Sequence, residues 1–175
     1  MSATAVFRES FGRLPDLVGA AVDGLDDEQL AARIDHAANP IGWLVWHLTR
    51  VQDHHVAGAA AALGWHELGV QVWTADGFAA RSGLASADDE IGYGQSAREV
   101  GQVRVSAAFL VDYHRAVQAR TLEVLGGVTD DLWDAVVDEH WDPPVTLLAR
   151  MVSVLADVTQ HVGQAAYVRG VLERA

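Results

Sequence analysis

Residues 39–63, "NPIGWLVWHLTRVQDHHVAGAAAAL", decide the fold because they predict one long helix suited to a protein core. Asn39 is a good helix cap, and Pro40 costs nothing at the first helical position, where its missing N–H would have no partner. Apolar residues then recur at helical spacing as far as about Leu63. They are Ile41, Leu44, Val45, Leu48, Val51, Val56 and Ala59.

The same periodicity predicts three more long helices, which with the first make a four-helix bundle. Pro15 either kinks the first of them or splits it in two. The last carries an apolar stripe expected to be buried: Leu148, Met151, Val152, Leu155, Val158 and Val162. No run alternates apolar and polar residues for long enough to predict a strand. The further long helices are expected at 4–23, 102–125 and 145–172, and short helices at 24–34 and 129–137.

Residues 64–101 break the helical pattern with repeated glycines, and also carry Trp65, Trp73, Phe78 and Tyr93. A loop of this length in a compact domain is usually functional or disordered, and the aromatic residues favour an ordered segment that lines a pocket. One short helix is expected within it, from Thr74 to Arg81. The sequence thus predicts an all-α fold, a four-helix bundle with short extra helices and a long crossover loop, in a single domain over 1–175.

Composition excludes several classes of function. The formal charge is -12, from 24 acidic and 12 basic residues, and no window collects Lys or Arg into a patch. Nucleic acid and anionic membrane are therefore not expected partners. The chain has no cysteine, which excludes disulfides, thiolate metal sites and a cysteine nucleophile. Arg8 and Glu9 interrupt the stretch that a signal peptide would need to be apolar, so a cytoplasmic protein is expected.

Asp157 and His161 form the first candidate metal-ligating pair. They lie four residues apart on the predicted last helix, so their side chains share one face and can bind the same cation. A carboxylate and a neutral imidazole suit zinc or another divalent transition metal. The alternative is a chance pair on a solvated helix face, which is common.

His47 changes the weight of that evidence. It lies 60° around its helix from Leu44 and 100° from Leu48, near the apolar stripe, so its imidazole should point into the bundle or along its rim. Bundle metal sites use facing side chains from different helices. Three protein ligands would leave a position open for water or substrate, as a catalytic site requires. A core histidine with one hydrogen-bond partner is the alternative.

Four segments carry a family likeness: "NPIGWLVWHLTRVQDHH", "VWTADGFAARSGL", "GYGQSAREVGQVR" and "ADVTQHVGQAAYVRGVL". With them the chain resembles the DinB-like metalloproteins over nearly its whole length. Within that family it is most similar to the mycothiol-dependent branch, which includes mycothiol S-transferases and maleylpyruvate isomerase. The resemblance implies a four-helix bundle in which one histidine of the second long helix and two residues of the last helix hold a divalent metal.

Carried over by motif, these ligands are His47, Asp157 and His161. Asp157 stands where many relatives have histidine and the mycothiol-linked ones glutamate. Because aspartate is one methylene shorter than glutamate, a bridging water is an alternative to direct ligation. Zinc is the expected metal, with nickel, iron and manganese as alternatives.

The resemblance implies a metal-dependent S-transferase that presents mycothiol as a thiolate to small electrophiles. Since the chain lacks cysteine, the thiol must come from a cosubstrate. The alternatives are a mycothiol-dependent isomerase and a non-catalytic bundle that binds metal or a small ligand. A homodimer is plausible from the alanine-rich and tryptophan-bearing faces. Candidates for binding the sugar–inositol part of mycothiol are Arg50, Asp53, His54, Arg81 and Gln164.

Overall fold

The computed structural model describes residues 2–85 and 88–174. Ser86 and Ala87, which belong to the predicted crossover loop, and the two terminal residues of the predicted domain lie outside them. The fold is all-α apart from one small antiparallel β-hairpin, which confirms the predicted fold class. The elements are α1 Ala3–Gly12, α2 Leu14–Val22, α3 Asp27–Ala31, α4 Ile41–Ala62, α5 Val72–Ala75, α6 Phe78–Ser82, α7 Ala97–Val100, α8 Ala107–Gly127, a 3-10 helix Asp130–Asp134, β1 Val136–Asp138, β2 Val145–Thr146 and α9 Leu147–Leu172.

The bundle is built from α4, α8, α9 and the α1–α2 pair. The first predicted helix is indeed split, since α1 ends at Gly12 and α2 begins at Leu14 with Pro15 in its first turn. Helix α4 lies at the centre and packs most extensively against α9, then against α8. It is buried around most of its circumference, including Trp46, because apolar or small residues occupy several faces rather than one stripe.

The beginning of α4 differs in detail from the expectation. Pro40, not Asn39, is the N-terminal cap, and no side chain caps the helix. The Pro40 carbonyl accepts the first helical hydrogen bond, from the amide of Leu44 at 3.0 Å. Asn39 lies one residue too early for the capping role predicted for it.

Two helices begin later than predicted because hydroxyl caps start them. Helix α8 begins at Ala107 rather than at 102, since Ser106 accepts from the amide of Phe109 at 3.2 Å. Helix α9 begins at Leu147, since Thr146 accepts from the amide of Ala149. A side-chain oxygen that bonds a free amide favours a helix start at that point.

The short helix predicted at 129–137 is wrong beyond Asp134. Residues 136–138 form β1, which pairs antiparallel with β2, the two residues that precede α9. Strands of three and two residues are too short for alternation to reveal them. The stripe predicted to be buried on α9 is also partly wrong, because Leu148 and Val152 are 39% and 53% exposed. The buried face of α9 is Leu147, Met151, Val154, Val158, Val162, Ala165 and Val168.

The crossover contains more helix than expected. The single helix predicted from Thr74 to Arg81 is two, α5 and α6, separated at Gly77, whose φ of 72° is left-handed. A third short helix, α7, follows Ser96, whose side chain caps it. No helix in the described part of the chain is long and apolar enough to cross a membrane.

Candidate metal centre

His47 lies on α4 with only 2% of its surface exposed. Its Nδ1 hydrogen-bonds to the main-chain carbonyl of Ile91, and its ring stacks on Trp43 with centroids 4.6 Å apart. A carbonyl can only accept, so Nδ1 carries the proton and Nε2 keeps its lone pair. Burial lowers the pKa of His47, which further favours the neutral ring that metals bind.

His161 is oriented in the same way from α9. Its Nδ1 donates to the main-chain carbonyl of Asp157, one turn earlier, at 2.9 Å. Its Nε2 is therefore the nitrogen with a free lone pair. Nδ1 also lies 3.3 Å from Oδ1 of Asp157, and this side-chain contact raises the pKa of His161.

Asp157 supplies the observation that tests whether these residues suit a cation. Its Oδ1 is buried and accepts no well-aligned hydrogen bond from the described residues, since Nδ1 of His161, 3.3 Å away, bonds the main-chain carbonyl of Asp157 instead. A buried carboxylate oxygen without a donor is costly unless a positive charge lies next to it. The nearby oxygen and imidazole nitrogens form a mixed set that suits a divalent transition metal.

The three side chains meet in space. One ligand atom from each of His47, Asp157 and His161 lies within 4.8 Å of the others, and the two imidazole centroids are 4.7 Å apart. This is the spacing of atoms that can share one ion. Farther along, His55 of α4 and Arg150 of α9 line the same cavity. Residue numbers therefore rise along α4 from His47 to His55 while they fall along α9 from Asp157 to Arg150. The two helices run antiparallel.

The loop formed by residues 88–95 covers His47. Gly92 has a φ of 101°, and a Cβ atom built on it would lie 2.7 Å from Nδ1 of His47. Tyr93 presents its ring edge-on to His47 at 5.3 Å and is 61% exposed. Nε1 of Trp43 donates to Oε1 of Gln95 at 2.7 Å, which ties the loop to α4. The loop therefore fixes His47 and forms one wall beside the candidate centre.

Comparison with known proteins places the chain in a family. Residues 10–165 match the family model of the DinB superfamily. The chain belongs to the DinB superfamily. Members of this superfamily commonly bind a divalent metal. The chain is also similar to a solved structure, the crystal structure of a conserved protein from Enterococcus faecalis, with 25% sequence identity, a TM-score of 0.84, and coverage of 97% of this chain and 96% of that one. No curated protein matches it.

In this DinB superfamily member, Arg50 is buried rather than exposed at a rim. Its Nη2 donates to the carbonyl of Asp88 at 2.6 Å, and its Nε donates to the carbonyl of Glu90 at 3.3 Å. Its Nη1 donates to the side chains of Gln71 and Tyr113. Arg50 therefore fixes the start of the 88–95 loop, directly before the carbonyl that orients His47.

Asp53 is likewise buried, and its carboxylate is hydrogen-bonded to other parts of the fold. Its two carboxylate oxygens accept from the amides of Val72 and Trp73, each at 2.8 Å, and from the hydroxyl of Tyr113 at 2.7 Å. Burial raises the pKa of Asp53 despite these donors. The carboxylate thus anchors the first turn of α5 to α4.

The other residues expected to bind substrate lie in different places. His54 lines a cavity together with His55 and Arg150, and none of the three candidate ligands lines that cavity. Gln164 is exposed on α9, three residues beyond His161 and therefore close to the same face. Arg81 packs over Phe78 and lies 3.6 Å from Asp112, and its side chain is 51% exposed. The contacts of Arg81 are with α6 and α8, not with the metal ligands.

Sequence reasoning missed the contribution of Ile91, Gly92 and Tyr93. Ile91 acts through its carbonyl, and no side-chain pattern signals a main-chain acceptor. The glycine and tyrosine belong to "GYGQSAREVGQVR", which carried the family resemblance without revealing that it contacts His47. The one signal in the sequence is Gly92 itself, because glycine often occurs where a ring or another stretch of backbone approaches the chain closely.

Proposed function

We propose that this protein is a metal-dependent thiol S-transferase that uses mycothiol and a small electrophile, with zinc as the metal. The observation that carries the proposal is the buried Oδ1 of Asp157, which accepts no well-aligned hydrogen bond from the described residues, beside two histidines whose Nδ1 atoms are already bonded. Three protein ligands leave a coordination position for a substrate.

A bound divalent cation supplies positive charge that lowers the pKa of a coordinated thiol. Main-chain carbonyls fix the rings of His47 and His161 through Nδ1, which leaves Nε2 of each ring available to a metal. Trp43 and Tyr93 pack against the ring of His47. The chain has no cysteine, so the sulfur comes from a cosubstrate.

The proposed transfer is a substitution. The thiol proton leaves to water or buffer, a bond forms between sulfur and the electrophilic carbon, and the leaving group departs with the electron pair of its bond to that carbon. No oxidant or reductant is required. His54 and Gln164 are proposed to contact the body of the thiol, since they lie on the two helices that carry the ligands.

The test combines metal analysis with a conjugation assay. Purified protein is expected to hold about one zinc ion per chain and to conjugate mycothiol to chlorodinitrobenzene with release of chloride. A His47→Ala, His161→Ala double variant should lose both properties. Equal turnover in the double variant would contradict the proposal. Tightly bound metal without turnover for any thiol would instead support a non-catalytic metal-binding bundle.

A further inference from the structure

Tyr93 is an exposed aromatic residue beside the candidate metal centre. It is 61% exposed, although its ring lies edge-on to the ring of His47 with centroids 5.3 Å apart. Large aromatic side chains bury much of their surface in most folded proteins, and an exposed one next to a group of candidate ligands is a surface that another molecule can cover. Much of the phenol ring of Tyr93 is therefore free to contact a ligand.

The main chain around Tyr93 is held in one conformation. Gly92 and Gly94, the residues on either side, have φ angles of 101° and 71°, which glycine adopts without strain. Directly after this turn, Oε1 of Gln95 accepts from Nε1 of Trp43 at 2.7 Å, which ties the loop to α4. A side chain on an anchored turn loses little conformational freedom when a ligand packs on it, and this lowers the cost of binding.

A molecule that reaches the candidate centre also comes close to this ring. Tyr93 contacts the imidazole of His47, whose Nδ1 is bonded to a carbonyl and whose Nε2 is available to a metal. Trp43 covers a face of the same imidazole, with the two ring planes 12° apart. Trp43 is buried, whereas Tyr93 is exposed. Of the two aromatic residues that pack on His47, only Tyr93 offers its surface to a substrate.

The chemistry of this surface favours a flat, electron-poor group. The face of a phenol ring carries partial negative charge, so it stacks well on a ring from which substituents withdraw electrons. A cation would also suit an aromatic face, but a divalent metal bound close by would repel it. A thiolate attacks electron-poor carbon, so the property that strengthens stacking on Tyr93 also makes a ring reactive toward sulfur.

We propose that Tyr93 is a specificity-determining residue that stacks on planar, electron-poor aromatic electrophiles and holds them beside the metal centre. The transfer reaction rests on the proposed function, whereas the stacking surface does not. With a chloroarene, the thiol sulfur forms a bond to the ring carbon, chloride leaves with the electron pair of its bond to that carbon, and the thiol proton passes to buffer. Aliphatic electrophiles react at the same centre without the contact to Tyr93.

Two substitutions of Tyr93 separate the ring from its hydroxyl. Tyr93→Phe keeps the stacking surface, and Tyr93→Ser removes it. Both changes fall at an exposed position, so neither opens a hole in the core. Tyr167→Ser is the matched control, because Tyr167 is 66% exposed on α9 and lies roughly 120° around that helix from His161.

The enzymatic measurement compares chlorodinitrobenzene with iodoacetamide, an aliphatic electrophile, at one concentration of mycothiol. Tyr93→Ser is expected to lower the ratio of the kcat/KM for chlorodinitrobenzene to that for iodoacetamide about tenfold, because one aromatic contact is lost for the first substrate alone. Tyr93→Phe and Tyr167→Ser should leave the ratio unchanged. An unchanged ratio in Tyr93→Ser would overturn the proposal, as would an equal drop in Tyr93→Phe.

A binding measurement without metal separates this proposal from the proposed function. Dinitroaniline, a flat analogue with no group that a thiolate displaces, is titrated into metal-free protein, and its affinity is measured from the quenching of tryptophan fluorescence. Tyr93→Ser should bind it about tenfold more weakly than wild type, and Tyr93→Phe equally well. Equal affinity in wild type and Tyr93→Ser would overturn the stacking proposal alone. Absence of conjugation with every electrophile would overturn the proposed function, and the dinitroaniline affinities would still decide the role of Tyr93.

Discussion

Gly92 lies so close to His47 that a Cβ atom at position 92 would be 2.7 Å from Nδ1 of the histidine. The amino acid before Gly92 provides the carbonyl that Nδ1 bonds. One short piece of main chain thus orients the ring and leaves no space for a side chain. In effect, the 88–95 loop belongs to the candidate metal centre although it contributes no ligand.

Gly92→Ala is therefore expected to weaken metal binding. The added methyl group must displace the His47 ring or the loop, and loss of the group that orients a ligand typically lowers metal affinity by about tenfold or more. The measurement is zinc affinity by competition with a chelating dye. Gly94→Ala is the control, since Gly94 also has a positive φ, of 71°, but has nothing within 4 Å. An equal loss of zinc affinity in the two variants would show that backbone strain, not the contact with His47, causes the loss.

Arg50→Met should destabilise the fold strongly. The change leaves the carbonyls of Asp88 and Glu90 without a donor and Asp53, 3.6 Å from Arg50, without a buried counter-charge. Breaking a buried pair in this way costs about 3–5 kcal/mol, to be measured as the free energy of unfolding in urea. Arg81→Met removes an exposed pair and should cost no more than about 1 kcal/mol. A similar small loss in Arg50→Met would contradict the proposed anchoring of the loop.

Asp157→Asn is expected to lower metal affinity about tenfold, because the negative charge is lost while the shape is kept. The cobalt(II) absorption spectrum of the variant should change in intensity, reporting an altered ligand set. Asp16→Asn, an exposed carboxylate in α2, is the matched control and should change neither property. Wild-type affinity and spectrum in Asp157→Asn would exclude the carboxylate as a ligand.

His114 should make the protein less stable in mild acid. It is buried on α8, and burial lowers its pKa to about 4 from the usual 6.5. The unfolded chain therefore binds a proton at higher pH than the folded chain does. The contribution of His114 to the free energy of unfolding is fully present above about pH 6.5. It is lost as the pH falls toward 4, which lowers the free energy of unfolding by on the order of 3 kcal/mol.

The check is the free energy of unfolding of wild type and His114→Gln as a function of pH. The variant should lose less stability than wild type between neutral pH and the acidic end of the range. His66→Gln, at an exposed position, should follow wild type. Parallel curves for wild type and His114→Gln would show that this histidine is not the group responsible.

Much of the architecture could be predicted because helical periodicity is a local property of the chain. The spacing of Asp157 and His161 placed them on one face, and the position of His47 beside the apolar stripe of α4 directed it inward. The structure brings these three side chains together. The two strands could not be predicted, since β1 and β2 are stabilised by pairing across a turn rather than by their own short sequences.

Arg50 and Asp53 show why the surroundings of the centre could not be predicted. Both looked like polar residues at the end of an apolar stripe, where a pocket rim was a reasonable expectation. Whether such residues are exposed depends on where distant segments fold, and here residues 71–73 and 88–90 cover them and accept or donate their hydrogen bonds. A charged side chain buried in this way is stable only when such partners are present.

The sequence by itself determined the long helices and which faces of α4 and α9 carry ligand chemistry, because both follow from spacing within one helix. Only the tertiary structure decided that Ile91 and Gly92 orient His47, and that Arg50 holds their loop. Those contacts run through main-chain carbonyls and across tens of residues of chain, so no local pattern of side chains encodes them.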